Sequence, residues 1–258
     1  LSNDEVIDGK SERGGYPVIR KNMKQLCIDQ AAFAERLLEG LNEIDWPEST
    51  KEMQRNWIGR STGVEVQFDI VGGGKFSIFT TCIETIYGIT FMVLAPDGDL
   101  VQELMPRIQN QEEVKAYIQE TVSKSEMDRT ELNKGKTGCR LEGIKAINPV
   151  NGREVEVFIG DFVLANYGTG AVMAVPSHDQ RDFEYAIAHN IDRIQVIEGQ
   201  DVSEHAFEKQ DYLGKGCKLI NSEEFTGLTV EEAKVAIRSI RRDAIEKFKA
   251  QKKTSEMT

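Results

Sequence analysis

The sequence predicts a compact α/β domain whose short strands form a β-barrel-like sheet, flanked by helical connecting segments. Three observations lead there. Short runs of alternating apolar and polar residues recur between Val64 and Val175. Strong turn signals, Gly72-Gly73-Gly74 and Asn151-Gly152, separate them. Only two or three helix-period stretches are interspersed, too few for the regular strand–helix alternation of a parallel Rossmann sheet.

In chain order, residues 1–60 read as a connecting segment. Gly14 to Pro17 is extended, and Phe33, Leu37, Leu38 and Leu41 share one face of a helix that Trp46-Pro47 ends. A second short helix covers Lys51 to Asn56. Residues 61–198 read as the core. Gly63 to Ile70 is a strand with Val64, Val66, Phe68 and Ile70 on one side, and Lys75 to Thr80 returns after the triple glycine. Ile89 to Leu94 has strand length, and Asn110 caps a helix burying Val114, Tyr117 and Ile118. Leu141 to Ile147 and Glu154 to Ile159 form a hairpin about Asn151-Gly152. Phe162 to Ala165, a glycine-broken loop, a strand at Ala171 to Val175 and a helix from His178 to His189 follow. Residues 199–258 read as a C-terminal extension: a polar loop, an extended Lys218 to Asn221 and a basic helix from Val230.

Hydrophobic content of 40% and charged content of 29% describe a water-soluble globular chain. No apolar run reaches membrane-span length and no signal-peptide pattern opens the sequence. Cys27, Cys82, Cys139 and Cys217 are scattered, so neither zinc nor a disulfide framework is expected, and a reducing cytoplasm is the simplest setting. The net charge of −11 opposes phosphate binding on average, so affinity for a nucleic acid has to come mostly from other parts of a larger protein. The basic stretches Lys10 to Lys24 and Arg238 to Lys253 read as contact surfaces or as solvated charged faces.

The segment most informative about chemistry is Tyr167 to Phe183, Y-G-T-G-A-V-M-A-V-P-S-H-D-Q-R-D-F. Gly168 and Gly170 let the backbone approach a ligand closely. Pro176 stops a strand, and Ser177 with Gln180 reads as a capping box, which puts His178, Asp179 and Asp182 in the first helical turns. Asp179 and Asp182 then share a face, to hold a ligand ammonium or to complement the helix dipole. His178 reads as a general base or as a structural cap neighbour. A lone G-T-G without a following lysine is no phosphate loop, which excludes nucleotide-triphosphate binding here. The second segment, F-T-T-C-I-E-T-I-Y-G from Phe79 to Gly88, ends a strand in Thr80 and Thr81 and adds Thr85. These hydroxyls suit a small polar substrate, or are strand and cap residues.

Together the two segments, in this order and spacing, resemble the editing domain of leucyl-tRNA synthetases of the bacterial or organellar type, within the isoleucyl/valyl/leucyl group. S-E-R-G-G-Y-P-V (Ser11 to Val18), K-E-M-Q-R-N-W-I-G-R-S (Lys51 to Ser61) and A-I-N-P-V-N-G (Ala146 to Gly152) extend the likeness over most of the chain, with a poorer match after Leu219. The resemblance implies a β-barrel-like α/β editing fold and post-transfer hydrolysis of mischarged aminoacyl-tRNA(Leu). It implies Asp182 as the acid that holds the substrate α-ammonium, and Thr80 and Thr81 as hydroxyls around the ester and its attacking water. Thr85 becomes the residue that blocks leucine. Tyr167, Met173, Asp179 and His178 become substrate-binding or lining residues. It implies no metal and no cofactor for editing, ATP and magnesium serving only the parent enzyme's synthetic site. The implied partners are the tRNA(Leu) acceptor end and the remaining synthetase domains, in a cytoplasmic monomer with no membrane contact. No H-I-G-H or K-M-S-K-S motif occurs, so amino-acid activation is not expected of this chain.

One departure stands out. The pattern Thr-Thr-Arg-Pro-Asp-Thr reads here Thr80-Thr81-Cys82-Ile83-Glu84-Thr85, losing a cation and a rigid turn. The rival expectation is therefore an editing-impaired domain that only positions the acceptor end or supports the fold. A free-standing trans-editing protein is disfavoured, because both ends read as severed connections.

Overall fold

The computed structural model describes residues 1, 5–7, 9–19, 24, 26, 28–123, 129, 137–165 and 168–238. They fall into two compact units, Leu1–Thr62 and Gly63–Thr258.

In the first unit a two-residue antiparallel ladder, β1 (Val6–Ile7) with β2 (Lys10–Ser11), precedes two helices. Helix α1 (Ala34–Gly40) carries the expected apolar stripe, yet Phe33 and Leu37 are exposed and Leu41 alone of the stripe is buried. Helix α2 spans Glu48–Ile58, a turn longer at its start than Lys51 suggests, and Gly59 ends it at φ 65°, a left-handed conformation that glycine adopts without strain. Trp57 and Met53 on this helix are also exposed.

The second unit is built on one mixed six-stranded sheet in the order β4-β3-β6-β7-β5-β8. Its strands are β3 (Val64–Ile70), β4 (Lys75–Thr80), β5 (Phe91–Leu94), β6 (Gly138–Ile147), β7 (Glu154–Gly160) and β8 (Ala171–Ala174). Only β5 and β7 run parallel. The period-two reading of β3 holds where it matters: Phe68 and Ile70 are buried, while Glu65, Gln67 and Asp69 face water. Gly72, Gly73 and Gly74 all take positive φ in the turn to β4, the conformation for which a triple glycine is suited. The Asn151-Gly152 hairpin joins β6 to β7 in the register Ile147↔Glu154. The edge strands β4 and β8 approach each other within 8 Å between Cα atoms, but no ladder joins them. The sheet curls toward a barrel without closing.

Helix α3 (Asp99–Leu104) and helix α4 (Gln111–Ser123) cover the sheet. Asn110 precedes α4, but its amide is spent on β6: Oδ1 accepts from Glu142 N at 3.0 Å and Nδ2 donates to Arg140 O at 2.9 Å. The residue read as a cap is thus a tie between helix and sheet. Val114 is fully buried, and Tyr117 and Ile118 pack partly buried against the core. Phe162 to Ala165 forms a turn and irregular chain, not a strand.

Residues 206–238 are part of this packing unit rather than an appendage. Phe207, Tyr212, Leu219, Phe225, Val230, Ala233 and Ile237 join the same apolar cluster as Phe68, Ile83 and Val175. Isolated bridges Ile197↔Leu219 and Lys218↔Thr229 pin the extended piece, and helical turns run from 230 to 238. The apolar core therefore continues past residue 199, the start of the expected C-terminal extension.

Candidate functional site

The segment Thr80 to Gly88 leaves the end of β4 and tightens at once into a 3₁₀ turn, Ile83–Gly88. Threonine hydroxyls shape that turn. The Cys82 amide donates to Thr80 Oγ1 at 3.0 Å, and the Thr85 hydroxyl and amide both donate to the Cys82 carbonyl, at 2.8 and 3.2 Å. The hydroxyl bonds are local side-chain bonds to the backbone, of the kind that favours turns over regular structure. Thr85 is 1% exposed, whereas Thr81 and Cys82 are half-buried at the surface of the turn.

Glu84 is fully buried within the turn. Its Oε1 lies 3.0 Å from Lys234 Nζ on the C-terminal helix and accepts the Tyr212 hydroxyl at 3.1 Å. Its Oε2 has no hydrogen-bond partner. Burial and the neighbouring Glu84 carboxylate raise the Tyr212 phenol well above its ordinary pKa, so it acts as a donor.

The Asp182 segment is built differently from the expected capping box. Helix α5 spans Gln180–Ala188, and its N-cap is Asp179, not Ser177. After Val175 the chain first turns on the Val175 carbonyl, which accepts from the amides of His178 (2.8 Å) and Asp179 (3.0 Å). Only from Asp179 onward can the carboxylate reach the helix donors: Oδ1 accepts from the amides of Arg181 (2.9 Å) and Asp182 (3.1 Å). Ser177 is fully buried and its hydroxyl is unpartnered. Asp182 is itself buried, 8% exposed, and its Oδ2 accepts the Val175 amide at 3.0 Å. The two acids therefore differ in kind: Asp179 caps the helix, and Asp182 turns back toward the end of β8.

His178 has both ring nitrogens engaged. Nε2 accepts from the Val196 amide at 2.9 Å, which leaves Nδ1 to donate to the Phe207 carbonyl at 3.1 Å. Burial pushes its pKa down to about 4, so the ring is neutral at pH 7. It stitches three chain segments together and has no nitrogen left to take a proton or to hold a substrate, which corrects the reading of His178 as a base or a ligand-binding group. Met173, on β8 opposite Met92, is half-buried and packs against the main core. Tyr167 lies outside the described residues, while Gly168 and Gly170 beside it both take positive φ.

What brings the two segments together is a strut that the sequence did not announce, residues 206–212, ending in the short helix α6 (Lys209–Tyr212). On one side the Phe207 amide donates to the Ser177 carbonyl at 2.9 Å, and the Ala206 amide to Gln180 Oε1 at 2.9 Å. On the other, Tyr212 bonds Glu84 and Lys209 Nζ lies 3.5 Å from Thr81 Oγ1. The His178 and Tyr212 rings meet edge to face at 6.1 Å. No local motif marks Lys209, Tyr212 or Lys234, because the polar partner of each, Thr81 or Glu84, lies more than a hundred residues away. Among the described residues, no three His, Cys, Asp or Glu side chains gather as metal ligands would. No helix there is long and apolar enough to cross a membrane.

Residues 55–242 match the leucyl-tRNA synthetase editing-domain family. Among solved structures, the chain is similar to the agnB2 LeuRS of Agrobacterium radiobacter K84, crystallised as a ternary complex with tRNA and LeuAMS. The two share 32% sequence identity at a TM-score of 0.60, over 79% of this chain and 25% of that one. The chain thus spans about a quarter of the length of the synthetase that it matches.

Proposed function

The chain belongs to the leucyl-tRNA synthetase editing-domain family, and from that premise we propose that it hydrolyses the ester of mischarged aminoacyl-tRNA(Leu). The observation that carries this reading is the strut at 206–212, which joins the hydroxyl-lined turn at Thr80–Thr85 to the start of the Asp182 helix. Threonine hydroxyls and a buried carboxylate, on two segments that one strut ties together, suit an amino-acid ester, whose carbonyl needs hydrogen-bond donors and whose α-ammonium needs an acid.

In this reading water adds to the ester carbonyl, the bond to the terminal ribose breaks, and amino acid and tRNA hydroxyl are released. Asp182, oriented by the Val175 amide, holds the α-ammonium. Thr80 and Thr81 orient the water and stabilise charge developing on the carbonyl oxygen, and Thr85 limits the space for the side chain. Met173, Asp179 and Tyr167 line or brace the pocket. Positioning and preorganised hydrogen bonds supply the rate, and the step needs neither metal nor cofactor. A second hydrolytic site of this kind answers a physical limit: one methylene discriminates by only about 1–3 kcal/mol in a hydrophobic pocket. The acceptor end of tRNA(Leu) and the other domains of a cytoplasmic, monomeric parent synthetase complete the reading, and the parent's ATP and magnesium serve only its synthetic site.

A second reading rests on Cys82-Ile83-Glu84: a domain that positions the acceptor end without hydrolysing it. The two separate in one experiment. The parent enzyme is mixed with tRNA(Leu) carrying a labelled wrong amino acid, and loss of label is followed against uncatalysed hydrolysis. Clearance above background supports editing; binding without clearance supports positioning alone.

A further inference from the structure

Position 82 and Lys209 converge on one atom. Cys82 Sγ lies 3.6 Å from Thr81 Oγ1, and Lys209 Nζ reaches the same oxygen from the strut at 3.5 Å. We propose that Lys209 is a substrate-binding residue whose ammonium holds a phosphodiester of the substrate's terminal nucleotide, supplying from the tertiary structure the cation that position 82 lacks. This rests on the editing reading for the identity of the substrate.

Three features support it. Among the described residues no carboxylate forms an ion pair with Lys209, although the chain carries a net charge of −11 and Lys234, the other lysine that reaches this turn, is paired with Glu84. The contact to Thr81 is at the outer limit of a hydrogen bond and occupies one of three N–H donors. Lys209 and Thr81 are both only half-buried, so the ammonium stands at the open side of the turn while Thr85 and Glu84 form its closed side. A loosely tied, hydrated point charge on a flexible stem suits a phosphate rather than an oxyanion hole, which requires donors fixed before the reaction.

The test is direct binding, which does not depend on turnover. The full chain is titrated at several salt concentrations with an RNA hairpin carrying a single-stranded 3′ end and a norvaline joined through a non-hydrolysable amide. Lys209→Ala is expected to weaken binding roughly tenfold and to reduce the salt slope by about 0.7, one phosphate contact on a single strand. Lys209→Arg retains both, and adding Cys82→Arg to Lys209→Ala restores them. An unchanged affinity and slope in Lys209→Ala overturns the proposal, as does failure of both arginine variants to restore binding. Deacylation of norvalyl-tRNA by the parent enzyme is measured in parallel: a KM effect at constant kcat is expected, and a kcat effect at constant KM overturns the phosphate assignment. Absence of all turnover with a Lys209-dependent salt slope would defeat the editing reading and leave this one standing.

Discussion

Asp182 accepts the Val175 amide at 3.0 Å while its own amide donates to the carboxylate of Asp179 at 3.1 Å. One acid thus orients the backbone that carries the other. An acid at the surface of a first helical turn would contribute little to stability, but Asp182 is buried and satisfies a buried donor, so its substitution is expected to affect stability as well as the proposed binding role.

Asp182→Asn and Asp182→Ala separate the two contributions. Asn keeps an acceptor for Val175 but removes the charge that would hold an ammonium, so deacylation should be lost with little change in melting temperature. Ala should lose deacylation and also about 1–3 kcal/mol of stability, the cost of an unsatisfied buried amide. Near-normal deacylation by folded Asp182→Asn would remove Asp182 from the binding role.

Thr85→Ala is expected to open space at the base of the turn, so that the parent enzyme also hydrolyses correctly charged leucyl-tRNA. Crossing it with Cys82→Arg, Ile83→Pro and Glu84→Asp asks whether the turn is already in working geometry. Leucine loss in the single mutant indicates that it is. Ile83 is 2% exposed and packs in the main core, so Ile83→Pro should also lower the unfolding midpoint. If mischarged tRNA is cleared but no variant attacks leucyl-tRNA, Thr85 is not the gate.

Glu84 and Lys234 form a buried pair, and removing one partner should cost more than removing both. Lys234→Met alone strands a fully buried carboxylate, at about 3–5 kcal/mol. The double variant Glu84→Gln/Lys234→Met should recover much of that loss in denaturant unfolding. Additive losses would mean that the pair is not energetically coupled.

His178 gives a pH dependence with a definite sign. Burial lowers its folded-state pKa from 6.5 to about 4. The unfolded chain therefore takes up a proton first as pH falls. The stabilisation is fully present above about pH 6.5 and is lost progressively between there and pH 4, up to roughly 3 kcal/mol. His178→Gln should flatten that part of the stability profile relative to the unsubstituted chain. An unchanged slope would show that another group titrates there. Deacylation should show no catalytic pKa near 6.5 that His178→Gln removes.

The fold class was legible because strand periodicity and turn glycines are local signals. Phe68 and Ile70 are buried because period-two alternation puts them on one face, and Gly72 to Gly74 turn the chain because only glycine takes three successive positive φ values at low cost. The two segments of the candidate site were equally visible, by residue type and by resemblance. Roles inside them were less so. Ser177 reads as a helix cap on spacing alone, yet Asp179 does the capping, because whether a side chain reaches the first amides depends on where the preceding turn ends.

What the sequence by itself determined is most of the strands, the turns and the two segments from which the candidate site is built. Only the tertiary structure decided what those residues are bonded to. His178 became a neutral tie because Val196 and Phe207 happen to flank it, and Glu84 became half of a buried pair because Lys234 and Tyr212 arrive from the far end of the chain. The physical reason is range. Backbone conformation and amphipathicity are set within a few residues, whereas desolvation and charge pairing depend on whichever groups chain folding brings within about 4 Å. Position 82 holds a cysteine in the sequence, and only the folded chain brings the Lys209 ammonium to the hydroxyl of its neighbour Thr81.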